Sequence, residues 1–124
     1  LGLFPGAGGT QRLTRQVGVA RAFWLLATGQ RLTADEALAA GIATEVVDDD
    51  QVVARATEIA EQLAAGPTRA IGLIKELVYE CWGRELPAGL DREGEAVFEV
   101  LQTEDLREGF QAFREQRTPR FTGR

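Results

Sequence analysis

Apolar positions recur at helical spacing over most of the chain, and glycines punctuate the recurrences. Thr10 to Val17 reads as a short helix with Leu13 and Val17 one turn apart. Gly18 breaks it, and Val19 to Thr28 reads as a second helix with Gly29 just past its end. Thr33-Ala-Asp-Glu36 is a capping box, in which Thr33 accepts from the Glu36 backbone N–H and Glu36 reaches back. It opens a helix through Ala37 to Ala40, closed by Gly41. Ile42 to Val47 is a short β-branched run and the one good strand candidate. Asp48-Asp49-Asp50 predicts an N-cap and favourable charge at a helix start.

Gln51 to Ala65 carries Val52, Val53, Ala56, Ile59, Ala60 and Leu63 at helical spacing. Gly66-Pro67 stops it, and Pro67 fits the first turn of a new helix running to about Trp82. The apolar stripe of that helix includes Ile71, Ile74, Leu77, Val78 and Cys81. A further helix from about Ala88 to Leu101 turns Leu90, Val97, Phe98 and Leu101 inward. Thr103 caps the last one, with Glu104 and Asp105 in its first turn and Leu106, Phe110 and Phe113 on one face. The tail from Thr118 reads as irregular. The pattern is therefore mostly α, with a glycine-rich front (1–47) and a helical back (48–124). A lone strand cannot form a sheet, so the front is expected to pack against a portion upstream of this chain.

Composition removes whole classes of chemistry. The chain has 124 residues with 44% apolar and 27% charged side chains, which is ordinary globular usage. No apolar run approaches about 20 residues, so no membrane span is expected. Histidine is absent, which excludes histidine general bases, Ser-His-Asp triads and histidine-ligated metals. Cys81 is the single cysteine, which excludes an intrachain disulfide and a cysteine-cluster zinc site and fits a reducing, cytoplasmic compartment. The formal net charge of −5 argues against general nucleic-acid binding. From Arg107 to Arg124 five arginines face two acids, giving a local +3 that could meet an anionic ligand or be a solvated end. Leu1-Gly2-Leu3 has no initiator methionine, and a processed chain or a fragment is expected.

Gly6-Ala-Gly8-Gly9-Thr10 is the most unusual segment. Three glycines ahead of a helix leave backbone N–H groups free to approach a ligand or water, or else permit a tight chain crossing. It fits neither a dinucleotide fingerprint nor a P-loop, because Gln11 and Arg12 stand where those need glycine and lysine. The acid run at Asp48 lacks calcium-loop spacing. Cys81, Trp24 and Trp82 read as packing residues.

The segment Leu1-Gly-Leu-Phe-Pro-Gly-Ala-Gly-Gly-Thr-Gln-Arg-Leu-Thr-Arg-Gln-Val-Gly18 resembles the signature of the enoyl-CoA hydratase/isomerase (crotonase) superfamily. Thr28-Gly29, Ala40-Gly41-Ile42, Gly66-Pro67, Lys75, Thr103-Glu-Asp105, Arg107-Glu108-Gly109, Ala112-Phe113 and Pro119-Arg-Phe121 follow in the matching order. The resemblance implies a ββα spiral core followed by a helical trimerisation domain, with this chain as the C-terminal half. Residues 1–47 would end the spiral and 48–124 would form the oligomerisation domain. It also implies homotrimers or hexamers, an acyl-CoA thioester as substrate, and no separate cofactor, metal, nucleic-acid or membrane partner. The two catalytic glutamates and the oxyanion-hole donors would lie upstream of Leu1. Within this chain, the Gly6 backbone N–H would hold the attacking water, and Leu1 and Ala7 would line the acyl pocket. Phe113 would contact the CoA of a neighbouring subunit. Gln116 stands where relatives often carry a lysine near the CoA phosphates, with Arg117 and Arg114 as alternative cations. Trp24 stands where relatives often carry glutamate. A thioester enolate can be stabilised by preorganised N–H donors, with carboxylates moving the protons, so the lack of histidine is no obstacle.

Two functions of different class are thus expected. One is an enoyl-CoA hydratase or isomerase, including the ring-epoxide or ring-enoyl-CoA isomerases of aromatic degradation, with this chain alone inactive. The other is a non-catalytic helical assembly module, which requires that the 124 residues be the whole product.

Overall fold

The computed structural model describes residues 2–124, and all regular structure among them is helical. The helices are α1 Gly9–Val17, α2 Val19–Thr28, α3 Ala34–Ala39, α4 Val52–Ala64, α5 Thr68–Glu80, α6 Leu86–Leu101 and α7 Glu104–Glu115. The mostly α expectation holds, and the helix starts and stops fall within a few residues of the sequence signals. The chain divides into two compact units, Leu1–Val52 and Val53–Arg124.

In the first unit α1 packs on α2, which buries Ala22 and Leu25. The capping box of α3 forms as expected. Thr33 Oγ1 accepts from the Glu36 N–H at 3.2 Å, and the Thr33 N–H donates to Glu36 Oε2 at 2.8 Å. Those bonds to Thr33 hold the Glu36 carboxyl below its ordinary pKa.

The strand expected at Ile42–Val47 does not form. The N–H groups of Ile42 and Ala43 turn back to the Ala37 carbonyl at 2.9 and 3.2 Å, ending α3 in a Schellman motif. Gln16 Nε2 donates to the Gly41 and Ile42 carbonyls at 3.0 and 3.3 Å. The start of the run is thereby committed to α1 and α3, and the remainder has no second strand to pair with among the described residues.

At the end of the first unit the acid run is a turn rather than a cap. The Asp48 carbonyl accepts from the Gln51 N–H at 2.8 Å, and the first turn of α4 holds no acid. Pro67 is the N-cap of α5 instead of its first helical residue. Helices α5 and α6 pack together, with Leu73 and Ala96 buried. Arg92 ties them from the side, bonding Glu76 Oε1 through Nε at 2.9 Å and Glu99 Oε1 through Nη1 at 3.1 Å.

The C-terminal tail is fastened to the start of α7. Thr103 Oγ1 caps the helix by accepting from the Leu106 N–H at 3.2 Å. Asp105, only 3% exposed, accepts from the N–H groups of Thr122 at 2.6 Å and Gly123 at 2.9 Å. Its own N–H donates to the Arg124 carbonyl at 2.9 Å. Gly123 has φ 77° and sits so close to α5 that a Cβ there would lie 2.6 Å from Thr68 Oγ1.

Several residues expected to be inward are exposed. Leu90, Val97, Phe98 and Leu101 on α6, and Phe110 and Phe113 on α7, are all more than half exposed. Trp24 and Trp82, expected as packing residues, are each 61% exposed. Periodicity identifies the apolar face of a helix without saying what covers it. The chain exposes 10057 Å² of surface at a mass of 13.5 kDa. No described helix is long and apolar enough to cross a membrane.

Candidate functional site

A strained turn precedes α1. The Gly9 N–H donates to the Gly6 carbonyl at 3.0 Å. The two central residues, Ala7 and Gly8, are left-handed, with φ 52° and 88°. That is the backbone of a type I′ turn. Glycine adopts it freely, whereas alanine does so at a cost of about 1–2 kcal/mol. Arg12 secures the turn from the next helical turn. Its Nη1 donates to the Ala7 carbonyl at 3.0 Å, and its backbone N–H to the Gly8 carbonyl at 2.8 Å.

Gly6 itself is exposed, and a Cβ built on it would meet nothing within 4 Å. Among the described residues no acceptor takes the Gly6 N–H. The turn therefore leaves a backbone donor without a partner among the described residues beside a helix N-terminus, an arrangement able to hold a water or a developing oxyanion.

On the second unit Phe110, Phe113 and Phe121 line an apolar groove of about 460 Å³ with Pro67, Ala70 and Leu106. Phe113 is 83% exposed. A flat aromatic on an accessible wall can stack on a planar ligand or pack against protein.

Gln116 ends α7 in the left-handed region, with φ 54°. The Arg117 N–H donates to the Ala112 carbonyl at 3.0 Å, which makes Gln116 the C′ residue of a Schellman motif. Glycine is the ordinary residue there. Gln116→Gly is expected to raise stability by a few tenths to ~1 kcal/mol, the relief of left-handed strain less the added chain entropy. Urea unfolding measures it, and a lower midpoint would assign Gln116 a side-chain contact that the structure lacks.

The Arg117 guanidinium is committed locally. Nη1 and Nη2 bond both oxygens of Glu108 at 2.6 and 2.9 Å, and Nε bonds Glu115 Oε2 at 2.6 Å. Glu108 also accepts from the Arg120 backbone N–H at 2.7 Å. Arg117, then the Arg120 N–H, pull the Glu108 carboxyl down to about 2. A carboxylate with a depressed folded-state pKa stabilises the fold above its unfolded pKa, and the contribution fades as pH falls towards about 2. Carboxyl NMR is expected to show Glu108 titrating near 2 and rising towards the ordinary range in Arg117→Ala, with the Arg120 N–H still holding it below. An unchanged midpoint in the variant would break the assignment. Arg114, in the last turn of α7, meets no carboxylate among the described residues.

The model of the enoyl-CoA hydratase/isomerase family matches residues 1–124, the whole chain. The chain belongs to that family. A probable enoyl-CoA hydratase of Rhodobacter capsulatus is 40% identical over all 124 residues, which make up 48% of its length. The 1,2-epoxyphenylacetyl-CoA isomerase of Escherichia coli is 39% identical over the same 124 residues, 47% of its length. The crystal structure of enoyl-CoA hydratase from Bacillus anthracis matches with a TM-score of 0.93 at 42% identity, covering 99% of this chain and 48% of that one. The chain thus spans about half the length of the curated relatives it matches. Its helical content accords with the helical C-terminal part of the crotonase fold.

The residues implied by the family resemblance fall on both units. Gly6 and Ala7 form the turn of the first; Phe113, Gln116 and Arg117 lie at the end of α7 in the second. Leu1, expected in the acyl pocket, lies outside the described residues. Three residues around these sites escape a reading of the sequence. Arg12 looks like one more surface charge of α1, Asp105 like a helix-dipole acid, and Glu108 like a solvated member of the tail. Each is defined by a bond to a backbone group or side chain that the helical pattern does not place nearby.

Proposed function

We propose that this chain is the C-terminal half of an acyl-CoA hydratase/isomerase that adds water across a 2,3-trans-enoyl-CoA double bond. The observation that supports this best is the Gly6 turn, an open backbone donor set in the family's signature segment. In this reading the Gly6 N–H orients the water, and two glutamates upstream of Leu1 move its protons. Donors upstream stabilise the thioester enolate. Ala7 and Leu1 border the acyl chain, and Phe113 borders the CoA of a neighbouring subunit. Because Arg117 is bound to Glu108 and Glu115, Arg114 is the cation we assign to the CoA phosphates. No separate cofactor enters.

The exposed apolar faces of α6 and α7 support assembly into trimers or hexamers. The lone Cys81 suits a reducing, cytoplasmic compartment. A ring-epoxide isomerase is the second reading, because the Escherichia coli isomerase is as similar as the hydratases. Full-length protein offered crotonyl-CoA and a ring-epoxide CoA ester in parallel separates them. Hydration of the first supports the proposal, and turnover of the second alone replaces it.

A further inference from the structure

We infer that Arg12 is a positioning residue for this reaction, holding the Ala7 carbonyl and with it the left-handed turn that aims the Gly6 N–H. The inference rests on the function proposed above. Every carbonyl of the turn is held by a donor. The Gly6 carbonyl takes the Gly9 N–H, and the Gly8 carbonyl takes the Arg12 N–H, both within the backbone. The Ala7 carbonyl alone depends on a side chain, the Arg12 guanidinium at 3.0 Å. Ala7 is also the residue whose backbone is strained, at φ 52°.

Relief of that strain means rotating Ala7 out of the left-handed region, which swings its carbonyl away from Arg12 and changes the twist of the turn. The guanidinium also closes over Gly8, where a Cβ would come within 3.0 Å of Arg12 Cζ. Gly8 therefore serves two purposes, accepting φ 88° and leaving room for the clamp. A water-holding donor displaced by about 1 Å costs on the order of 100-fold in rate.

The test compares Arg12→Ala, Arg12→Lys and Arg15→Ala in the full-length protein. Arg15 lies one turn further along α1 and among the described residues bonds only Gln11, through its carbonyl and Oε1, each at 3.1 Å. Arg12→Ala is expected to lower kcat ~10- to 100-fold with KM changed less than about twofold. Arg12→Lys, which keeps a charged donor, should recover part of the loss, and Arg15→Ala should match the parent. Amide exchange at Gly9, whose N–H is bonded to the Gly6 carbonyl, should quicken in Arg12→Ala while the rest of α1 stays protected. Unchanged kcat in Arg12→Ala, or a loss shared equally by Arg15→Ala, overturns the inference. If the parent turns over no CoA ester, the proposed function fails instead. The exchange experiment still decides whether Arg12 holds the turn.

Discussion

Gly6→Val is expected to leave the fold intact and lower hydration by at least ~100-fold, the order of loss found when a preorganised backbone site is blocked or shifted. The two halves of that expectation come from one residue. A Cβ at position 6 meets nothing within 4 Å, so the described residues give no steric reason to reject it. The Gly6 N–H has no acceptor among the described residues, and in the proposed reading the valine methyls crowd the water that it holds. Steady-state kinetics with crotonyl-CoA and a urea melt together check both halves. Lost activity with an unchanged midpoint places the water at Gly6. Turnover equal to the parent removes the turn from the site, and a collapsed midpoint makes Gly6 a structural glycine.

Asp105→Ala is expected to cost about 2–4 kcal/mol, from lost charge-assisted bonds and tail donors left without an acceptor. The carboxylate is buried and accepts from the backbone of Thr122 and Gly123. Its loss unfastens the tail, and with it Phe121, which packs at 3.7 Å from where a Gly109 Cβ would stand. Asp105→Asn keeps one acceptor oxygen and should lie between the two. Arg120 provides the local readout, since trypsin should cut the Arg120–Phe121 bond sooner in Asp105→Ala. An unchanged urea midpoint with unchanged tail cleavage would mean that the tail is held by something else.

Helix placement was legible because its signals are local. Gly18, Gly29 and Gly41 each end a helix with positive φ, and the Thr33 and Thr103 caps form with the partners their spacing demands. The Ile42–Val47 run misled because β-branching reports a preference for extended backbone, while strand formation also needs a second strand, and none forms among the described residues. The inward positions on α6 and α7 misled for a related reason: Phe98 and Phe113 are apolar at helical spacing, but nothing among the described residues covers them. At the site, the glycine turn was legible from its composition. Arg12, Asp105 and Glu108 were not, since a salt bridge or a carboxylate-to-backbone bond leaves no periodic trace.

The similarity to hydratases and to a ring-epoxide isomerase is nearly equal, so the chemistry rests on the reaction itself. The deciding measurement is a turnover assay of the full-length protein with crotonyl-CoA, following loss of the conjugated thioester absorbance and the mass of the product. The account predicts a 3-hydroxyacyl-CoA one water heavier than the substrate, formed at a rate that Gly6→Val abolishes. Absence of any hydrated product, from a protein that is folded and assembled, would contradict it.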